Sequence, residues 1–72
     1  MKEMIVKAGA SLQEACQELV RVAPAFMLYN GNRVEAQAGE NLDTVERRAG
    51  RILLEAAARH GDTKAQELVW LR

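Results

Sequence analysis

The 72-residue sequence has little of what a disulfide scaffold, a metal centre or a polyanion-binding surface needs. Its single cysteine excludes an internal disulfide, and with one histidine there is no Cys/His cluster for a structural zinc ion. Lys plus Arg is 10 and Asp plus Glu is 10, and this zero net charge argues against non-specific binding to nucleic acid or an anionic membrane. The apolar runs are too short to span a membrane. We expect no metal and no other cofactor.

Catalytic motifs are also missing. The 5 glycines are scattered singly, so no glycine-rich phosphate loop is present. The carboxylates of Glu14 and Glu18 should share a solvated helix face, whereas general-acid chemistry needs a pocket that raises a pKa. Cys16 should pack in the core, and His60 should lie at a helix C-terminus, so neither is expected to act as a nucleophile or base. We therefore predict a non-enzyme, although one chain does not reveal a site shared between protomers.

The length and composition indicate one small folded domain over residues 1–72. Apolar residues are 49% and charged residues 28%, which is ordinary globular usage. The N-terminal ten residues include Glu3 and no sustained apolar core, so they are not expected to be a signal peptide, and we expect a cytoplasmic protein. Such a short, single-domain chain is typical of small bacterial or phage proteins. Because a core of this size is near the lower limit for independent stability, self-association is expected.

The first predicted helix covers about residues 12–22. A capping box opens it, since the Ser11 hydroxyl can accept the backbone N–H of Glu14 while the Glu14 carboxylate accepts that of Ser11. Apolar residues, Cys16 among them, then recur at intervals of three and four along one stripe. Pro24 ends the helix, because it disfavours helical geometry in the residue before it.

The second predicted helix covers about residues 42–60. Its apolar residues again step by three and four, and Gly61 provides a C-terminal stop. Asn41 and Asp43 are alternative N-terminal caps. The narrow apolar seam contains alanines that would let a second helix approach closely, which favours a homodimer. The seam consists of Leu42, Val45, Ala49, Ile52 and Ala56.

Three strands are predicted from apolar alternation and β-branched content, at Glu3–Ala8, Ala25–Tyr29 and Arg33–Gln37. The second of these is apolar on both faces, so it should be central in the sheet or lie at an interface. Asn30-Gly31 predicts a hairpin between the second and third strands.

The sequence permits two registers for this hairpin. A two-residue turn would pair Met27 with Val34, whereas a three-residue loop would pair Leu28 with Val34. The two choices send opposite faces of the strand to the core.

The C-terminal segment has two interpretations. A capping box at Thr63–Gln66 favours a third helix, and residues 67–71 also suit a short strand. Residues 57–66 resemble the inter-helix turn of tetratricopeptide-like repeats, which supports a turn near Gly61. The expected fold is a two-layer α+β domain, β-α-β-β-α(-α), with an antiparallel three-stranded sheet and the helices on one face. The alternative is a ferredoxin-like βαββαβ fold with residues 67–71 as its fourth strand.

Arginines of the second helix form the only basic cluster, and i, i+4 carboxylates would explain them as a solvated face. Phe26 and Tyr29 cannot both point inward from one strand, and Trp70 lies close to the C-terminus, so exposed aromatic surface for a partner is expected. The candidate partner-binding residues are Arg48, Arg51, Tyr29 and Trp70.

The function that these features predict is a small protein–protein interaction module acting as a regulator, inhibitor or accessory subunit, in the form of a homodimer. The alternative is a nucleic-acid-binding regulator that uses the arginine-rich face of the second helix, which zero net charge disfavours.

Overall fold

The computed structural model describes residues 1–61; the predicted C-terminal helix or strand, and with it Trp70, lies outside the described residues. The predicted order β-α-β-β-α is confirmed for residues 1–61, as is the α+β class. The elements are β1 (Lys2–Met4), α1 (Leu12–Val22), β2 (Ala25–Tyr29), β3 (Asn32–Ala36) and α2 (Leu42–Arg59).

The sheet has the order β1-β2-β3, which confirms that the apolar strand β2 is central. β3 is antiparallel to β2, but β1 is parallel to it, so the prediction of an antiparallel sheet was wrong for β1. The reason is the crossover: α1 carries the chain back to the end of the sheet where β1 began, so β2 runs in the same direction as β1. β1 is also shorter than the predicted Glu3–Ala8 and ends at Met4.

The hairpin has the two-residue turn. Asn30 and Gly31 have φ values of 50° and 79°, as a type I′ turn requires. Met27 pairs with Val34, and both are fully buried, so the apolar side of β3 and this side of β2 face the core together. β3 begins one residue earlier than predicted, because Asn32 pairs directly with Tyr29.

Both helices begin at side-chain caps. The predicted capping box of α1 is confirmed, with Glu14 N–H donating to Ser11 Oγ at 3.1 Å and Ser11 N–H donating to Glu14 Oε1 at 3.0 Å. Of the two candidate caps for α2, Asn41 is the one used, accepting the Thr44 N–H at 2.8 Å. These caps fix where each helix begins relative to the strand before it.

The core lies between one face of the sheet and the two helices, as predicted. Val45 and Ala49 of the α2 seam are buried in it, and Leu42 and Ile52 pack against it. Four of the five seam residues therefore pack against the core of their own chain, and the case for a homodimer has to come from another surface. The remaining buried core residues are Met4, Ala15, Cys16, Leu19, Ala25, Met27, Val34 and Ala36.

Candidate functional site

Arg48, one of the predicted partner-binding residues, is held within the fold. Its Nη1 donates to the carbonyl oxygen of Glu35 at 2.7 Å and to Glu40 Oε1 at 2.7 Å, and its Nη2 donates to Glu40 Oε2 at 2.5 Å. Glu40 Oε1 also accepts the Gln37 N–H at 2.6 Å. The hydrogen bonds from Arg48 and then from Gln37 lower the pKa of Glu40 to about 2. Arg48 thus joins α2 to the end of β3, in contrast to the solvated role that the sequence suggested.

Tyr29 is half-buried and packs against the core. Its hydroxyl donates to the carbonyl oxygen of Ala10, 3.1 Å away in the loop between β1 and α1. Phe26 lies on the opposite face of β2, as the odd spacing between the two aromatics predicted. Phe26 is therefore the aromatic residue of β2 on the sheet face away from the helices, and like Tyr29 it is half-buried.

Of the predicted residues that the structure describes, Arg48 and Arg51 are not brought together with Tyr29 in one site. Arg51 is exposed on α2, with its Nε 3.6 Å from Glu55 Oε1. Tyr29 lies at the turn end of the hairpin, whereas Arg48 binds near the other end of β3. Trp70 lies outside the described residues.

The free edge of β3 is closed by Arg48. The two-residue turn makes Tyr29 and Asn32 a hydrogen-bonded pair, so Phe26 and Glu35 occupy a non-hydrogen-bonded position. The peptide groups of Glu35 consequently point away from β2, towards solvent. The Arg48 guanidinium occupies this outward carbonyl at 2.7 Å, and so a second strand could not pair there without displacing it.

The free edge of β1 is open. Because the peptide groups of Phe26 point towards β1, those of its aligned partner Glu3 point to the outer edge. Ile5 follows the last residue of β1, and extending the strand by one residue would place its N–H and C=O on that edge as well. No strand of residues 1–61 lies beside it. An edge of this kind presents hydrogen-bonding groups to which another chain can add a strand.

A cleft of about 350 Å³ adjoins this edge, between β1 and α1. It exists because α1 packs mainly over β2 and α2 over β3, leaving the helix side of β1 less covered. Ile5, which is 81% exposed, is the most exposed large apolar residue of the described part of the chain. The cleft is lined by five apolar and three charged residues, which are Met4, Ile5, Val6, Lys7, Ala10, Glu14, Ala15 and Glu18.

The carboxylates that line the cleft are not arranged for acid–base chemistry. The pKa of Glu14 is lowered by its hydrogen bonds within the capping box, and that of Glu18 is lowered by Arg21. General-acid catalysis needs the opposite shift. The two carboxylates and Lys7 are the charged residues among those that line the cleft.

The sheet face away from the helices carries a smaller apolar group. The Arg33 guanidinium carbon lies 3.9 Å from the centroid of the Phe26 ring, and Arg33 pairs with Glu35 at 2.9 Å. Leu28 is 48% exposed beside them. Charged side chains therefore cover part of this face, unlike the edge at Ile5.

Cys16 is fully buried, as predicted. Burial raises the pKa of its thiol, and the negative charge of Glu46 adds to the increase. The reactive thiolate is therefore disfavoured at neutral pH. Within residues 1–61, no group of three or more His, Cys, Asp or Glu side chains is placed to hold a metal ion.

Sequence reasoning placed Ile5 in a strand but not in a binding surface. The available signal was the apolar run Met4–Val6 set between Glu3 and Lys7, which reads as an edge flanked by charges. The prediction of a strand at Glu3–Ala8 did not say whether that strand lies at an edge of the sheet, so nothing marked Ile5 as accessible to another chain.

Comparisons with protein-family models, curated proteins and solved structures find no match to this chain. The helices described in residues 1–61 include none with the length and apolar character that crossing a bilayer would require.

Proposed function

We propose that this protein is a protein-binding module whose working surface is the β1 surface, defined as residues Glu3–Lys7 together with the cleft between β1 and α1. The partner would bind in extended conformation and add a strand to the sheet beside β1. In this mode the main chain provides affinity and the side chains that enter the cleft provide specificity. A regulator, inhibitor or accessory subunit could act in this way.

The observation that carries the proposal is the difference between the two edges of one sheet. At β3, Arg48 donates to the outward carbonyl of Glu35 and is itself held in place by the Glu40 carboxylate. At β1, the outward groups of Glu3 have no strand beside them in the described chain, and a large apolar side chain, Ile5, is 81% exposed next to them. Proteins commonly protect sheet edges with charges or covering elements, so an uncovered edge beside an apolar cleft favours a binding role.

The arginines of α2 give less support to a second function. Arg47 pairs with Asp43 at 3.0 Å, Arg48 with Glu40 at 2.5 Å, and Arg51 lies 3.6 Å from Glu55. A surface whose arginines face carboxylates of the same chain attracts phosphates weakly. Nucleic-acid binding through α2 stays a prediction, without a structural observation in its favour.

Site-specific photo-cross-linking tests the proposed surface. A photoreactive phenylalanine analogue is placed at Ile5, at Leu28 on the open sheet face, or at Arg51 on α2, in the full chain within its native cells. We expect protein adducts from position 5 and few from the other two positions. All three side chains are exposed, so the label alone does not bias the result.

Adducts mainly at position 51 would contradict the proposal and favour the arginine face. Adducts mainly at position 28 would move the binding surface to the open face of the sheet. Each variant also needs an unchanged circular dichroism spectrum, so that a difference in adducts reports the surface and not the fold.

A further inference from the structure

The segment Glu3–Lys7 has a charge pattern that is complementary to its own reverse. It reads Glu3-Met4-Ile5-Val6-Lys7, with an acid at one end, a base at the other and three apolar residues between. The carbonyl of Lys7 accepts the Ala10 N–H at 3.0 Å, so the chain turns away from the edge after Lys7. The segment that could extend along the edge is therefore limited to these five residues, of which Glu3 and Met4 already lie in β1.

We propose that the β1 surface pairs with a second copy of this chain, antiparallel and centred on Ile5, to form a continuous six-stranded sheet across the dimer. The inference rests on the proposed function and names its partner. Ile5 faces Ile5 of the second copy, Met4 faces Val6, and Glu3 faces Lys7, each of the last two pairs occurring twice by symmetry.

Symmetry and charge select this register. Facing pairs in an antiparallel ladder alternate between two types, so a two-fold axis requires one residue to face its own copy. Centring on Glu3 would oppose two carboxylates, and centring on Met4 or Val6 would pair no opposite charges. Centring on Ile5 alone within the segment places each acid opposite a base, an arrangement that stabilises cross-strand pairs.

The alternating direction of the peptide N–H and C=O groups along the strand agrees with this register. The peptide groups of Glu3 point to the free edge, and those of Ile5 would do so by alternation once the added strand extends β1 to Ile5. An Ile5–Ile5 pair at the centre is then a hydrogen-bonded pair, with both N–H groups donating across the axis. The contact would also cover the exposed Ile5 side chain, which a soluble monomer leaves in water at 81% exposure.

Charge-swap variants of the full chain test the proposal. Analytical ultracentrifugation should show the wild type in a monomer–dimer equilibrium at tens of micromolar. Glu3→Lys and Lys7→Glu each place like charges opposite one another twice, and should raise the dimer dissociation constant about tenfold or more. The double variant Glu3→Lys/Lys7→Glu restores opposite charges and should recover wild-type dimerisation.

Lys2→Glu is the matched control, because it changes net charge as Lys7→Glu does but faces an alanine, Ala8, in this register. It should leave the dissociation constant within about twofold, since its cross-strand partner is uncharged. The three exposed side chains form no part of the core, so the variants should keep the wild-type unfolding temperature when all are measured at a concentration where the chain is monomeric.

A second measurement tests whether the two-fold axis of the dimer passes between the two copies of Ile5. Ile5→Cys should give a disulfide-linked dimer on mild oxidation, because facing Cα atoms in a hydrogen-bonded pair lie within disulfide range, about 5.5 Å apart. Arg51→Cys should not. The native Cys16 is buried and does not compete.

A wild type that stays monomeric overturns the self-pairing, and so does a dimer that ignores the Glu3 and Lys7 swaps. If the chain is monomeric while position 5 still cross-links to another protein, the proposed function stands with a different partner. If position 5 gives no adduct at all, the proposed function fails as well.

Discussion

β3 runs along one edge of the sheet with the Arg48 side chain against its outward carbonyl, whereas β1 runs along the opposite edge beside an apolar cleft. Both strands pair with β2 and face the same core. They differ in what lies next to them: α2 packs on β3 and brings Arg48 to its edge, but no helix of residues 1–61 gives β1 the same cover.

The difference between the two edges shows how a small sheet can be limited to association through one of them. An edge with free peptide groups is a template for any strand, so a protein that binds through one edge has to close the other. Here a single arginine closes β3, using an ion pair and a carbonyl contact in place of an additional strand. The expected consequence is association at one edge only, which produces closed dimers and not open fibres.

The largest expected effect concerns the core that both edges share. Cys16→Ser should lower the free energy of unfolding by about 1–3 kcal/mol, because a hydroxyl would be buried in place of the thiol. The native thiol should resist alkylation. Urea denaturation and iodoacetamide labelling test the two statements, with Cys16→Ala as a variant that adds no hydroxyl. Rapid native labelling would instead mean that the neighbouring cleft opens into the core.

The next largest effect should come from opening the closed edge. Arg48→Ala should lower the free energy of unfolding by about 1–2 kcal/mol, since charge-assisted hydrogen bonds are lost at a site that is still partly solvated. It should also add larger oligomers, because two free edges permit chains of subunits. Urea denaturation and light scattering measure these changes.

Arg47→Ala is the control for this effect, because its ion pair with Asp43 is exposed and should contribute little. If Arg48→Ala were as stable and as monodisperse as Arg47→Ala, the closure of β3 would not depend on this arginine.

A smaller effect is expected where Tyr29 holds the loop behind the open edge. Tyr29→Phe removes the hydrogen bond to the Ala10 carbonyl and should cost about 1 kcal/mol of unfolding free energy. Because Ala10 lines the cleft, amide exchange in the loop from Lys7 to Ala10 should also become faster. A variant of unchanged stability with weakened partner binding would return Tyr29 to the partner-binding role predicted from the sequence.

The smallest effect should be a change in acid stability. Hydrogen bonds from Arg48 and Gln37 lower the pKa of Glu40 from 4.5 to about 2, so the folded state favours its ionised form. The resulting stabilisation is complete above pH 4.5 and is lost as the pH falls from there towards about 2. Urea denaturation of wild type and Glu40→Gln should show a stability difference that disappears over this range. If the stability difference between wild type and Glu40→Gln stayed constant over this pH range, the contribution of Glu40 would come from packing and not from its charge.

Local patterns were sufficient for most element boundaries. The capping box at Ser11 and Glu14 placed α1, and Asn30-Gly31 placed the hairpin, because both signals depend on hydrogen bonds and φ values within a few residues. The direction of β1 relative to β2 could not be predicted from such local patterns. It depends on where the crossover through α1 returns the chain, which is a property of the packed domain.

The predicted site residues show the same limit. Exposed aromatics and arginines of α2 were reasonable candidates by composition, yet Tyr29 packs on the core and Arg48 reaches the end of β3. The contacts of Arg48 with Glu35 and Glu40 span 13 and 8 positions of sequence, beyond any helical spacing rule. Arg51 is exposed on α2, and its role in binding a partner is still a prediction.

The sequence by itself determined the order of the five described elements, the start of α1, the position of the hairpin and the burial of Cys16, since each follows from periodicity or from short-range hydrogen bonding. It also contains the charge pattern of Glu3–Lys7. Only the tertiary structure decided that β1 lies at an open edge while β3 is closed by Arg48. Edge and centre are defined by which strands and helices become neighbours, and that depends on the packing of the whole domain rather than on any local run of residues.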